Sequence, residues 1–233
     1  MISIIIPVYN QAQKLAHTLQ SIASQTLADW ELIIVNDGSH DNPEQIFTDF
    51  VSKTKLENRF IFLNQVNCGA PAARNHGWQK SQGDFLFFCD ADAVLKDNAL
   101  ELLLNALKSN PEVSYAYPSF NWGRKLFKVG GFSAEKLKQE PYIHTMALIR
   151  REAFPSNGWD ESIRKFQDWD LWLTMLNDSK YGIWVDQVLF TVSPGGIISS
   201  WLPSFAYRLM PFLNSVKKYK IAKEIILKKH GLK

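Results

Sequence analysis

Two short acidic motifs carry most of the chemistry this chain could perform. Asp90-Ala91-Asp92 follows the apolar run Phe85-Leu86-Phe87-Phe88, and Gln167-Asp168-Trp169-Asp170 opens a stretch with helical apolar spacing. In an extended chain, residues two apart face the same way, so Asp90 and Asp92 can present two carboxylates together. A hard divalent cation such as Mg²⁺ or Mn²⁺ accepts one or two carboxylates, completed by phosphate oxygens and water. On a helix, Asp168 and Asp170 point about 200° apart, so only one of them can face a substrate. That carboxylate could take a proton from an attacking hydroxyl; equally, both could simply favour the helix N-terminus through its dipole. Other polar residues gather at turns: Pro7, Tyr9 and Asn10; Asn36-Asp37-Gly38-Ser39; Asn67, Gly69 and, soon after, Arg74. Any single turn Asp or Asn could be a helix cap. Four such turns at one edge are harder to explain that way.

The edge follows from the elements around it. Residues 2–8, 31–35, 59–63 and 84–89 read as strands, while Leu15, Leu19 and Ile22 recur at helical spacing. Residues 43–51, 71–80 and 98–107 read as further helices, with Pro71 suited to a first turn. Alternating strands and helices imply a parallel sheet covered on both faces, and ligands of such sheets sit outside the carboxyl ends of the strands. Beyond Pro111 the pattern loosens. Residues 113–120, 146–149 and 182–192 read as strands, 168–176 as a helix, and 122–139 as loop-rich.

Composition narrows the class. The 233 residues are 46% hydrophobic and 21% charged, enough for a substantial core and unlike a disordered chain. No apolar stretch approaches the roughly 20 residues of a membrane-spanning helix, and no basic region precedes the apolar start, so no signal peptide is expected. Cys68 and Cys89 offer neither a disulfide framework nor a zinc site, and a reducing cytoplasm is the expected compartment. The net charge of +3 is unevenly spread: residues 200–233 hold eight Lys or Arg against one acidic residue, and the remainder sums to −4. The aromatic and basic residues from Trp201 to Lys229 suit an amphipathic helix on an anionic membrane surface, or one packed on the domain with solvated lysines. A domain over residues 1–195, with a nucleotide-binding half to about 110, and a helical appendage over 196–233 is the economical division. Nucleic acid is not an expected partner. The turn after the first strand lacks GxGxxG, which disfavours a dinucleotide-dependent oxidoreductase.

In order and spacing, four blocks resemble the inverting nucleotide-sugar glycosyltransferases of family 2: residues 3–10, 32–39 and 69–75, and Asp90-Ala91-Asp92. Gly158-Trp159-Asp160-Glu161 and residues 167–173 resemble that family's acceptor-side motif. The resemblance implies a GT-A fold, Rossmann-like, with a mixed and mostly parallel sheet flanked by helices. It also implies a divalent metal, a donor such as a UDP-sugar, and a glycan or lipid-linked acceptor in cell-surface polysaccharide synthesis. Under it, Pro7 and Tyr9 line the base pocket, Asp37 holds base or ribose, Arg74 approaches base or diphosphate, Asp90 contacts ribose or metal, and Asp92 ligates the metal. These roles suit the groups, since carboxylates accept from sugar hydroxyls and Arg offers a forked donor to phosphate. Asp168 takes the position of the catalytic base. Trp159 and Trp169, close by in sequence, are candidates to stack on an acceptor sugar, against a core role for both. Two departures stand out. Gln167 replaces a frequent Glu, and residues 191–195 lack the His that often ligates metal. These leave a degenerate nucleotide-sugar-binding protein without turnover as the alternative.

Overall fold

The computed structural model describes residues 1–54, 59–194 and 213–232. Four parallel strands form one half of a single sheet: β1 (Ile2–Val8), β2 (Trp30–Asp37), β3 (Phe60–Gln65) and β4 (Phe85–Phe88), in the order β3-β2-β1-β4. Helices α1 (Ala12–Ala23), α2 (Pro43–Lys53) and α3 (Ala70–Lys80) make the crossovers. Ile2, Ile4, Ile5 and Ile6 are all fully buried, because a sheet covered on both faces buries successive residues rather than alternate ones. Gly77 lets α3 approach that sheet, since a Cβ there would stand 2.6 Å from Ile5 Cγ2.

The second half departs from the parallel pattern. The short strand β5 (Ala93–Leu95) and helix α4 (Ala99–Ser109) precede β6 (Tyr115–Trp122), β7 (Lys125–Phe127) and helix α5 (Ala134–Gln139). Strand β8 (Leu148–Arg150) then runs antiparallel between β4 and β6, and β9 (Gly182–Val192) lies parallel to β6 and antiparallel to β5. Helix α6 (Gln167–Asn177) stands before β9, and α7 (Asn214–Lys229) closes the chain. The stretch expected to be loop-rich thus holds β7 and α5. The first pairs with the end of β6, and the second is capped by Ser133, whose Oγ accepts from the Lys136 backbone N–H.

Polar groups fasten the sheet's amino-terminal edge. Glu31 is fully buried and accepts from Ser3 Oγ (2.7 Å), the Gly83 N–H (3.1 Å) and Arg59. Burial alone would raise its pKa, yet these donors and that of Gln82 hold it below the ordinary carboxylate value. The opposite, carboxyl-terminal edge is left open. Of the membrane-suited residues, Trp201, Phe205 and Tyr207 lie outside the described residues. The outer face of α7 exposes Ile221 and Ile225 beside Lys217, Lys218 and Lys228.

Candidate active site

A cavity of about 640 Å³ opens at the carboxyl ends of β1, β2 and β4. Pro7, Tyr9, Asp37, Arg74, Asp90, Asp92 and Asp168 all line it, although they come from five separate stretches of chain. The chain reverses sharply at each contributing turn. At Gly69 the backbone takes φ +94°, a left-handed value that favours glycine. The same turn sends its N–H to Asp37 Oδ2 at 2.9 Å, while Cys68 N–H and Gln65 Nε2 reach Oδ1 at 2.8 and 2.9 Å. Three of the carboxylate's roughly four acceptor positions are therefore filled by protein. Asp37 shapes the turn at residues 65–69 and keeps one lone pair on Oδ2 for a ligand.

Arg74 joins the two acidic motifs. Only 5% exposed, it donates from Nη1 to Gln167 Oε1 at 2.9 Å and from Nη2 to Asp90 Oδ1 at 3.3 Å. Its guanidinium lies 4.7 Å from the centre of the Trp159 ring. Its Nε is buried with no hydrogen-bond partner among the described residues. The neighbouring Asn75 clamps the Trp159 backbone through both its N–H and its carbonyl, at 2.8 and 2.9 Å. The block at residues 158–161 is thus built onto α3, so the two sequence blocks share one structural unit.

The Asp90-Ala91-Asp92 turn is gripped from α1. Thr18 Oγ1 donates to the Ala91 carbonyl at 2.9 Å, and Gln11 Nε2 donates to Asp92 Oδ2 at 3.2 Å. Burial and the neighbouring Asp90 push the Asp92 carboxyl above its usual pKa, against the pull of Lys14. Asp90 also faces His144, whose Nε2 lies 3.8 Å from Oδ2. His144 packs against the stacked Phe120 and Phe190 rings, with centroids at 4.7 and 5.1 Å. Among the described residues no three His, Cys, Asp or Glu side chains gather to hold a metal. Hard carboxylate oxygens at the wall of the cavity nevertheless fit a Mg²⁺ or Mn²⁺ that a diphosphate helps to hold.

Helix α6 brings Asp168 to the cavity wall. Phe166 precedes it with φ 62°, and the Trp169 N–H donates to Asp168 Oδ1 at 2.8 Å. Burial raises the Asp168 pKa; His144 and Arg74 pull it down, and Asp90 pushes it up. Asp170 turns away from the cavity. Its carboxylate, 5% exposed, is held by Lys229 Nζ at 2.8 Å and His230 Nε2 at 2.8 Å, and Lys229 also reaches Asp160 Oδ2 at 2.6 Å. These bonds lift the Lys229 pKa although burial alone would lower it, and they hold Asp160 down at about 2. The C-terminal helix is therefore fastened to the helix that bears Asp168, and its Tyr219 lines the cavity with Phe166.

Two expectations are corrected here. Trp159 and Trp169 are 3% and 0% exposed and neither lines the cavity. The Trp169 indole donates to the Leu137 carbonyl at 2.6 Å and so anchors α5, while Trp159 backs Arg74. Among the cavity residues that escaped the sequence reading are Gln11, His144, Phe166 and Tyr219. Gln11 alone had a legible signal, being one residue beyond the first polar turn.

The fold is that of the GT-A glycosyltransferases. Residues 3–157 match the family model of glycosyl transferase family 2, and the chain belongs to that family. It is 28% identical over 196 residues to an uncharacterized glycosyltransferase of Rickettsia bellii, covering 78% of this chain and 27% of that one. It is 38% identical over 111 residues to the poly(ribitol-phosphate) beta-N-acetylglucosaminyltransferase TarP of Staphylococcus aureus, covering 47% of this chain and 33% of TarP. The chain thus spans a third or less of these two relatives. Among solved structures, S. aureus TarS in complex with UDP-GlcNAc superposes with a TM-score of 0.72 at 17% identity, over 98% of this chain and 71% of that one. The mannosyltransferase PcManGT of Pyrobaculum calidifontis, in complex with GDP-Man and Mn²⁺, gives 0.68 at 16% identity, over 94% of this chain and 64% of that one. At such identities the structural likeness is one of fold.

Proposed function

We propose that the chain transfers a sugar from a nucleoside-diphosphate sugar, UDP-linked, to a hydroxyl of a glycan or lipid-linked saccharide, with inversion at the anomeric carbon. The observation that carries this reading is Arg74, which bonds Asp90 on the donor side and Gln167, the residue before Asp168, on the acceptor side. Pro7, Tyr9 and Asp37 hold base and ribose, and Arg74 meets the diphosphate with a forked cation. Asp92, with Asp90 beside it, would hold the divalent ion, which supplies charge neutralisation of the diphosphate. Asp168 takes the proton from the acceptor hydroxyl as its oxygen attacks the anomeric carbon. One displacement by that oxygen inverts the centre, and the nucleoside diphosphate leaves. The solved relatives bound to UDP, UDP-GlcNAc and GDP-Man support the donor class.

Among the described residues no helix is long and apolar enough to cross a membrane. The lysines and isoleucines on the outer face of α7 favour attachment to an anionic membrane surface, on the cytoplasmic side. A transfer assay across a donor panel, with product stereochemistry read by NMR, tests the central reading. An α-linked donor should give a β-linked product. Retention would refute single displacement, and binding without any turnover would establish the degenerate alternative.

A further inference from the structure

The N-cap of α1 and one face of its first two turns grip the acidic turn through three side chains. Gln11 stands at the N-cap, Lys14 and Thr18 lie four apart on one helix face, and all three meet residues 91–92. Thr18 bonds the Ala91 carbonyl and Gln11 bonds Asp92 Oδ2, while Lys14 Nζ stands 3.6 Å from the same Oδ2. The Asp92 side chain is 8% exposed and Thr18 is fully buried, so the grip lies where water screens little. Lys14 Nζ is itself buried and, among the described residues, has no hydrogen-bond partner at ordinary distance. Its contact with Asp92 at 3.6 Å is chiefly one of charge. Among the described residues, no other cation pairs with Asp92.

A divalent ion ligated by Asp92 Oδ2 must approach the atom that the ammonium already faces, and like charges a few ångströms apart in a poorly screened site repel strongly. We propose that Lys14 sets the metal affinity of this site: it is the resident counter-charge of Asp92, and a divalent ion binds there effectively only when a nucleoside diphosphate adds negative charge and oxygen ligands. This rests on the reading of Asp92 as the metal-facing carboxylate. It also gives Lys14 a physical role that a chain lacking the late-strand His can use, because Asp92 stays neutralised between donors.

The test is a Mn²⁺ titration of the full chain, followed by electron paramagnetic resonance of the free ion, with and without UDP. Without UDP, Lys14→Met and Lys14→Gln should each bind Mn²⁺ about tenfold or more tightly than wild type, and Lys14→Arg should stay near wild type. Adding UDP should tighten wild type more than either neutral variant. Placing Asp92→Asn behind Lys14→Met should abolish the gain. Folded Lys14→Met and Lys14→Gln chains with unchanged or weaker Mn²⁺ binding would overturn the proposal, as would a gain that survives Asp92→Asn. If UDP binds no form of the chain, the nucleotide-sugar reading falls, while the arm without UDP still decides the role of Lys14.

Discussion

Asp168 and Asp170 lie two residues apart on one helix, and their surroundings predict opposite consequences of the same chemical change. Asp168→Asn keeps size and shape at the cavity wall. Burial already disfavours its charge, so the neutral amide costs the fold little. Transfer, however, loses its base, and general-base catalysis is typically worth about 10²–10⁴-fold. Asp170→Asn removes the shared partner of Lys229 and His230. Breaking a fully buried ion pair costs about 3–5 kcal/mol. Here Lys229 is 35% exposed and keeps Asp160, so solvent screening and the remaining partner reduce the expected cost to about 2 kcal/mol. For a chain of this size, about 2–4 °C of Tm per kcal/mol translates to a fall of roughly 4–8 °C. Calorimetry and a coupled transfer assay on the two variants, with donor affinity measured by titration, separate the roles. Asp168→Asn should hold Tm and donor affinity while turnover collapses. Near-normal turnover in Asp168→Asn, or a Tm loss as large as that of Asp170→Asn, would refute the assignment.

Two further outcomes follow from the same geometry. Because burial raises the Asp168 pKa, the base ionises at higher pH than an ordinary Asp, so the acid limb of the kcat profile should sit above the usual carboxylate range. His144→Gln removes a group that pulls this pKa down and should move the limb higher still; an unchanged limb would place the titrating group elsewhere. The basic outer face of α7 should hold the full chain to anionic vesicles in low salt and release it as salt rises, since screening acts over about 8 Å at physiological ionic strength. Sedimentation unaffected by salt or by Lys217→Glu with Lys218→Glu would count against membrane attachment.

The donor-side site was legible because its signals are local. Strands β1, β2 and β4 each carry an apolar run that ends in a polar turn, and a parallel sheet brings such ends to one edge. The acceptor side was harder to read because its positions are decided by tertiary pairing. Strands β5 and β7 have three residues each, too few to show a period. His144 reaches the cavity only because β8 inserts antiparallel between β4 and β6. The Trp pair misled for a similar reason. Position near Asp168 suggested stacking on sugar, but the Trp169 indole N–H turns inward to the Leu137 carbonyl. The sequence marks the terminal segment as a helical appendage, either on a membrane surface or packed on the domain. In the structure its Tyr219 lines the cavity, and its last turn holds the far side of α6.

The exchange of Glu for Gln at position 167 acquires meaning from Arg74. A carboxylate at 167 would stand beside the guanidinium together with Asp90, and two anions around one buried cation would leave it net negative surroundings. With Gln167, the bond from Nη1 survives as a neutral one at 2.9 Å, while Asp90 is, among the described residues, the one carboxylate paired with Arg74. Arg74 therefore keeps more of its positive charge for an arriving diphosphate, and its unpartnered Nε supplies a further donor. A site whose Asp92 is balanced by Lys14 and whose Arg74 is balanced by one carboxylate depends less on a tightly held ion to receive an anionic donor. The missing late-strand His lessens the positive charge that a held metal would bring, and the neutral Gln167 lessens the negative charge around Arg74, so the two departures offset one another.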